Sequence, residues 1–176
     1  MIGLNRIQTG HSMSPLAQWP GSEQAGLIGI LTDIDDTLTS DGAITPDALQ
    51  ALAALKAAGL HVIPITGRPV GWSEPFAASW PVDAIVAENG AVALLPAVKN
   101  NGQIDLNSLS SKREQLSKIY QQDAATRSAN YARMQAVLAQ IEREVPGALR
   151  ATDSNGRETD IAIDHSEFTH LPQEAI

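Results

Sequence analysis

The feature that most constrains this chain is an apolar segment followed at once by two aspartates. Residues 27–31 are all apolar or glycine, which is typical of a strand covered on both faces, and Asp33 and Asp35 follow them. Side chains two residues apart in an extended chain point the same way, so these carboxylates can converge on one substrate atom. Ligands of open α/β sheets bind just past the carboxyl ends of the strands. The pattern predicts such a site, and the alternative is an acidic turn that closes a strand.

The next segment predicts a helix and a second strand. Thr45 can cap the helix, Pro46 suits its first turn, and Gly59 can end it. The mostly apolar residues 60–65 follow directly and end at Thr66. A strand, a helix and a strand joined by short turns form a βαβ unit, whose parallel strands open on the same edge of the sheet. Thr66 should therefore lie beside the two aspartates.

A third strand is predicted at residues 83–87, and with it the chain resembles the haloacid dehalogenase superfamily of phosphatases. Residues 33–38 are similar to the first motif of that superfamily, and Thr66 is similar to its second. Residues 66–69 and 88–91 resemble the branch called subfamily IIB, which carries a large α/β cap and mostly hydrolyses sugar phosphates. The resemblance implies an α/β fold, namely a Rossmann-like core with a parallel sheet and an inserted cap of the C2 type.

The resemblance also divides the chain into three parts. Residues 1–26 are expected to be an N-terminal tail, residues 27–95 the N-terminal part of the core, and residues 96–176 a cap. Either Met1 or Met13 can be the true start.

By the same resemblance, Asp33 is the nucleophile that forms an aspartyl phosphate, and Asp35 is the acid and base. Covalent catalysis by a carboxylate splits one difficult displacement into two easier ones. Mg²⁺ is the implied cofactor, held by Asp33 and by the backbone carbonyl of Asp35, because this ion prefers oxygen ligands. The Thr66 hydroxyl and neighbouring backbone amides, including that of Gly67, are implied to hold the phosphate oxygens.

Several other residues have two interpretations each. Arg68 can contact the phosphate or stabilise its own loop. Asn89 can touch the substrate or fix the hinge between core and cap, and the alternative is a turn residue with the left-handed backbone that asparagine tolerates. Arg127, Arg133 and Arg157 are candidates for a contact between the cap and a sugar phosphate, and the alternative is solvated surface.

The remaining sequence predicts two hairpins and two helices. The elements are strands at 92–96 and 103–106, helices at 108–122 and 128–145, and strands at 149–153 and 158–165. Asp153 and Asp160 are interpreted as residues of the second hairpin, around the turn at 154–156.

Two groups that the resemblance implies have no counterpart in the sequence. The superfamily uses a lysine beside the nucleophile and a late acidic motif that completes the Mg²⁺ site. The lysines here are Lys56, Lys99, Lys112 and Lys118, and none follows the predicted cap. We therefore expect an incomplete and poorly active fragment, whose first strand leaves apolar surface exposed to water.

The composition of the chain limits the classes of partner that it is expected to bind. The net charge of −8 argues against nucleic acid and anionic membranes, and aromatic residues make up only 4% of the chain, which offers no platform for stacking bases. The absence of cysteine is compatible with a reducing compartment, and we expect a cytoplasmic protein.

The expected partner is a small-molecule phosphate ester. The alternatives are a phosphosugar mutase of the same superfamily and a non-catalytic module that accepts or binds phosphate. The substrate and the oligomeric state stay open at this point.

Overall fold

The computed structural model describes residues 15–96 and 116–175. The strands are β1 (Gly29–Asp33), β2 (Thr39–Ser40), β3 (Ala43–Ile44), β4 (His61–Ile65), β5 (Ile85–Ala87), β6 (Val92–Pro96), β7 (Leu116–Tyr120), β8 (Leu149–Arg150) and β9 (Ile163–Asp164). The α-helices are α1 (Gly21–Gln24), α2 (Pro46–Ala57), α3 (Val70–Ser79) and α4 (Ala124–Glu144).

The centre of the fold is a five-stranded sheet with the order β1-β4-β5-β6-β7. Strand β4 runs parallel to both β1 and β5, while β6 and β7 are antiparallel to their neighbours. The three predicted parallel strands are therefore confirmed, and their carboxyl ends lie on one edge of the sheet. Two short antiparallel pairs, β2 with β3 and β8 with β9, lie outside this sheet.

Helix α2 begins and ends where the sequence predicts. The Thr45 hydroxyl accepts a hydrogen bond from the Ala48 N–H at 3.3 Å, which satisfies one of the free amides of the first turn. At the other end Gly59 has a φ of +83°, a left-handed conformation that glycine adopts without steric cost. Leu52 is buried on the inner side of the helix and joins the core.

Helices α2 and α3 supply the core on one face of the sheet. Val62, Val92 and Leu94 are buried there with side chains of both helices. The neighbouring positions on the strands face the other way, and Leu31 in β1 is 69% exposed. Strand β1 pairs only with β4 among the described strands, so it forms an edge of the described sheet. Apolar surface of β1 is thus exposed at Leu31, and the expected incompleteness of the chain stays a prediction.

The predicted helix at 108–122 is wrong where the structure describes it. Leu116–Tyr120 is strand β7, and it pairs with β6 in register from Val92 opposite Tyr120 to Pro96 opposite Leu116. Leu116 and Tyr120 pack against the core while Ser117 and Ile119 alternate with them, a period of two that sheet pairing favours. The rest of that prediction, and the predicted strand at 103–106, lie outside the described residues.

The C-terminal segment keeps its predicted helix but loses most of its predicted hairpin. Helix α4 begins four residues before the predicted start because the Asp123 carboxylate caps it, accepting the Thr126 N–H at 3.0 Å. Strands β8 and β9 have two residues each, and a short 3₁₀ turn at Ser154–Gly156 lies between them. The predicted strands at 149–153 and 158–165 were too long, because the residues between the two short strands bind the core instead.

The predicted division between a core at 27–95 and a cap at 96–176 stays a prediction. Strand β7 lies beyond position 95 and is hydrogen-bonded into the same sheet as the preceding strands. Within the described ranges, no helix has the length and apolar content needed to cross a bilayer.

A stability prediction follows from Asp83, whose carboxylate joins α2 to β4. It accepts hydrogen bonds from Lys56 Nζ at 2.5 Å and from the Val62 N–H at 2.7 Å. Burial acts to raise the pKa of Asp83, but these bonds outweigh it, so the pKa lies below the ordinary 3.8. A lowered carboxyl pKa contributes stability above the unfolded value, and this stability is lost as the pH falls through the folded value.

We expect Asp83→Asn to lower the melting temperature at pH 7 by about 2–4 °C, the shift that about 1 kcal/mol produces in a chain of this size. The difference from wild type should shrink as the pH falls below 3.8. Thermal unfolding across pH measures both effects, with Asp41→Asn as the control at an exposed aspartate. A difference that is constant with pH would contradict this assignment.

Candidate active site

Three loops meet at the carboxyl edge of the parallel strands. They comprise residues 34–38 after β1, residues 66–69 after β4 and residues 88–90 after β5. This edge is where open α/β sheets bind their ligands. The structure therefore gathers the polar residues that the sequence predicted to meet.

The first loop is a tight turn around a buried residue. Ile34 is fully buried, and its carbonyl accepts hydrogen bonds from the N–H groups of Thr37, Leu38 and Thr39 at 2.9–3.3 Å. Asp33, the last residue of β1, is exposed, and the Thr37 hydroxyl lies 3.4 Å from its Oδ2. The turn thus leaves the Asp33 carboxylate accessible to a ligand.

Asp35 is half-buried and lies against the second loop. The Thr66 hydroxyl lies 3.5 Å from Asp35 Oδ2, and Arg68 donates to both Asp35 oxygens through Nε at 3.2–3.3 Å and through Nη2 at 3.2 Å. The hydrogen bond to Asp35, which is the main cause, raises the pKa of Arg68. The predicted proximity of Thr66 to Asp35 is confirmed, and the roles of these residues stay predictions.

Arg68 connects this site to the C-terminal segment as well. Its Nη1 lies 4.0 Å from Asp153 Oδ2, and its guanidinium carbon lies 5.5 Å from the centre of the Trp72 ring. Its side chain is about one-third exposed, so the ion pairs contribute little stability by themselves. Their effect is to hold the guanidinium at the edge of the site.

Asn89 has the left-handed backbone that was one of its two interpretations, with a φ of 56°. Its amide donates from Nδ2 to Asp160 Oδ2 at 3.2 Å. A Cβ atom at Gly67 would lie 2.9 Å from Asn89 Oδ1, so a side chain at position 67 would displace the Asn89 amide. Asn89 and Gly67 therefore pack directly against each other.

Sequence reasoning missed Glu88, whose side chain is buried beneath the site. Glu88 is 2% exposed, and its Oε1 accepts the N–H groups of Val70 at 3.0 Å and Glu158 at 2.9 Å. Its Oε2 accepts the Thr159 N–H at 2.6 Å and also the Thr159 hydroxyl. The φ of Glu88 is 49°, a conformation that costs a residue other than glycine or asparagine about 1–3 kcal/mol. Its position in the sequence could have identified Glu88, since it directly follows β5 as Thr66 directly follows β4.

Arg157 is buried and does not belong to the solvated surface. Its side chain is 8% exposed and forms ion pairs with Asp153 at 3.2 Å and Asp160 at 2.8 Å, while Nη1 also donates to the Gly67 carbonyl at 3.2 Å. Asp153 and Asp160 flank the turn at 154–156 between β8 and β9, as the sequence predicts, and both carboxylates also bind this arginine. Both aspartates are within four residues of Arg157, but the Gly67 carbonyl is 90 residues away, and no local sequence pattern indicates that contact.

Burial and ion pairing have opposite effects on the pKa values of Arg157 and Asp160. Burial raises the pKa of Asp160, and the Arg157 guanidinium opposes that effect without cancelling it. Burial acts to lower the pKa of Arg157, but its bonds to Asp160 and Asp153 outweigh it and the pKa is raised. The other two arginine candidates lie elsewhere, with Arg127 stacked 3.4 Å from the Tyr120 ring centre and Arg133 exposed on α4.

An open cavity of about 340 Å³ lies between the second loop and the C-terminal segment. One side is formed by Asp35, Gly67 and Arg68, and the other includes Asp153, Arg157 and residues 162–167. The cavity is large enough for a small metabolite and carries charges of both signs. Within residues 15–96 and 116–175, no three acidic or histidine side chains cluster closely enough to hold a metal ion by themselves.

Comparison with known proteins gives one family. A model of the haloacid dehalogenase-like hydrolases matches residues 30–165. No curated protein gives a significant match. Among solved structures, a protein from Thermoplasma acidophilum aligns with a TM-score of 0.54 and 13% identity over 78% of this chain and 51% of its own.

Two further structures align less well. A phosphatase of the same superfamily from Bacteroides thetaiotaomicron has a TM-score of 0.40 and 20% identity, over 64% of this chain and 37% of its own. A sugar phosphatase of subclass IIB has a TM-score of 0.32 and 30% identity, over 37% of this chain and 27% of its own. The chain thus spans about half the length of the Thermoplasma protein and less of the other two. The Thermoplasma structure shows a shared fold.

We expect Thr66→Ala to lower the hydrolysis of a phosphate ester by roughly one to two orders of magnitude, the scale of losing one oriented hydrogen bond to the transition state. Thr66→Ser keeps the hydroxyl and should have a mild effect. Steady-state kinetics of both variants measure the difference. Equal losses in the two would instead indicate that Thr66 serves packing.

Proposed function

The chain belongs to the haloacid dehalogenase-like hydrolases, and we propose that it is a phosphatase that hydrolyses a small phosphoric monoester through phosphorylation of Asp33. The single observation that carries this proposal is the arrangement at the carboxyl edge. The accessible Asp33 carboxylate ends β1, and two residues later Asp35 is fixed by Thr66 and Arg68.

In the proposed reaction an Asp33 Oδ atom attacks the phosphorus of the substrate. The bond from phosphorus to the ester oxygen breaks, and the leaving oxygen takes a proton from Asp35. A water molecule then attacks the phosphorus of the aspartyl phosphate and gives a proton back to Asp35, which releases inorganic phosphate and restores both carboxyl groups. Dividing the displacement in this way requires one nucleophile and one proton carrier, which the two aspartates supply.

The residues around Asp35 fix the position of the proposed proton carrier. Arg68 and Thr66 contact its carboxylate from the next loop, and this fixes the group that must exchange a proton with the leaving oxygen. A phosphoryl group arriving beside Asp35 would add negative charge that the Arg68 guanidinium can balance. Thr66 and the amide of Gly67 are the proposed partners of the phosphate oxygens.

Mg²⁺ is the proposed cofactor, and two groups of this chain would hold it, although the late acidic motif of the superfamily has no counterpart here. The Asp33 carboxylate is exposed, and the backbone carbonyl of Asp35 is the second proposed ligand. Mg²⁺ is commonly bound by one or two carboxylates, with water and substrate phosphate completing its shell. When bound, the ion would neutralise charge on the phosphoryl group.

The substrate class is proposed as a sugar phosphate, supported by the resemblance of residues 66–69 and 88–91 to the capped sugar-phosphatase branch. The cavity of about 340 Å³ beside Arg68 suits a ligand of that size. A cytoplasmic location, and the division into core and cap, remain predictions.

Beryllofluoride tests the nucleophile without requiring turnover, because it mimics a phosphoryl group on a carboxylate. We expect ¹⁹F NMR with Mg²⁺ to show bound beryllofluoride in the wild type and none in Asp33→Asn, whose amide cannot bind beryllium as a carboxylate does. Asp36→Asn is the matched control, because Asp36 is also exposed and its φ of 55° suits asparagine. Equal binding by Asp33→Asn, or no binding by the wild type, would contradict the proposal.

Asp35→Asn should separate the proton carrier from the nucleophile. Without a proton donor, hydrolysis of esters with poor leaving groups should fall by roughly 10²- to 10⁴-fold. Phosphorylation by a substrate with a good leaving group should persist, because that oxygen leaves without a proton. Because Asp35→Asn also slows the second step, the measurement is the first-turnover release of the leaving group against its pKa, and a first-turnover rate that falls equally for every ester would refute the assigned role.

A further inference from the structure

Two carbonyl groups of the 66–68 loop are tied back to the turn after β5. The Asn89 N–H donates to the Thr66 carbonyl at 3.2 Å, and the Glu88 N–H donates to the Arg68 carbonyl at 3.1 Å. Both donor residues have left-handed backbone, with a φ of 49° at Glu88 and 56° at Asn89. The unusual backbone of this turn is therefore the conformation in which its two amides hold the loop.

The third carbonyl of the loop, that of Gly67, is held from the opposite side of the site. Arg157 Nη1 donates to it at 3.2 Å. Because a trans peptide is planar, its N–H points away from its carbonyl. The Thr66 and Gly67 carbonyls share their peptide planes with the N–H groups of Gly67 and Arg68, so holding these two carbonyls fixes the direction of both amides, and the Arg68 amide also donates to the Thr66 hydroxyl at 3.0 Å. Holding the Arg68 carbonyl fixes the end of the loop, where Pro69 has no N–H. Loops that bind anions depend on such fixed amides.

The Glu88 side chain is what brings Arg157 to this place. Its carboxylate binds the N–H groups of Glu158 and Thr159, the two residues that follow Arg157. The same carboxylate binds the Val70 N–H at the start of α3, so the C-terminal segment is fastened to the core directly beneath the loop.

We propose that Glu88 is a positioning residue, which holds the 66–68 loop through its own N–H on one side and through the docking of Arg157 on the other. That this loop binds a phosphoryl group rests on the proposed function. Glu88 itself is buried and touches no substrate.

Glutamine at position 88 tests the carboxylate with almost no change in shape. Each Glu88 oxygen accepts from at least one backbone N–H, so the amide NH₂ of Glu88→Gln would face an N–H donor whichever way it turned. Glu158→Gln is the matched control. The Glu158 carboxylate ties the same C-terminal segment to β7 through Lys118 at 2.6 Å and the Tyr120 hydroxyl at 2.5 Å, away from the 66–68 loop.

Hydrogen–deuterium exchange of the free protein measures the loop directly. In peptides that cover residues 65–69, we expect Glu88→Gln to speed amide exchange by roughly tenfold or more, the scale of losing hydrogen bonds that hold a local structure. In the same peptides, the exchange rate of Glu158→Gln should stay within about twofold of wild type, even if this variant lowers the melting temperature as much as Glu88→Gln does. Equal exchange in wild type and Glu88→Gln, or equal acceleration in both variants, would overturn the proposal.

If Glu88→Gln does not fold, Arg157→Ala tests the proposal in its place. It removes the donor to the Gly67 carbonyl and leaves the Glu88 carboxylate in place. Faster exchange at residues 65–69 is expected, and unchanged exchange would show that docking of this segment does not fix the loop.

Affinity for beryllofluoride in the presence of Mg²⁺ then tests the functional consequence. Glu88→Gln should weaken binding by roughly tenfold while Glu158→Gln leaves it unchanged. Faster loop exchange with unchanged affinity would overturn the role in phosphoryl binding. A wild-type chain that binds no beryllofluoride would refute the proposed function instead, and the exchange measurement would still decide whether Glu88 fixes the loop.

Discussion

The carboxylate of Glu88 accepts two hydrogen bonds on each oxygen, and through them it joins α3, the turn after β5 and the segment that follows Arg157. A buried carboxylate is stable only when its oxygens are fully hydrogen-bonded, so these four donors are a requirement of its burial. The segment cannot leave the core without stranding this charge. Glu88 is therefore the buried link between the site edge and the C-terminal segment, beside the contacts of Asn89 with Asp160 and of Arg157 with the Gly67 carbonyl.

The parallel pairing of β1, β4 and β5 supplies the other half of the arrangement. It places Asp33, Thr66 and Glu88 at equivalent ends of neighbouring strands. The sequence predicts this part well, because apolar runs, the Thr45 cap and the Gly59 stop are local signals that the structure confirms. The same logic applies to Glu88, which follows its strand directly, although burial of its side chain could be learned only from the fold.

What the sequence could not predict depends on contacts between distant residues. Leu116–Tyr120 was expected to be helical, and its pairing with β6 makes it a strand. The sequence did not distinguish Arg157 from the other candidate arginines, and only the fold shows that it is enclosed by Asp153, Asp160 and the Gly67 carbonyl. In both cases one partner is distant in the sequence, β6 for the strand and the Gly67 carbonyl for Arg157, and it lies outside the window that local propensity describes.

The central claim is that Asp33 carries the phosphoryl group during the reaction. Borohydride reduces an aspartyl phosphate to homoserine, so quenching the protein with borohydride during turnover of a phosphate ester with Mg²⁺ marks the phosphorylated residue permanently. The account predicts that peptide mass spectrometry finds homoserine at position 33. Homoserine at position 35 or 36, or a mark on no aspartate while the ester is being hydrolysed, would contradict it.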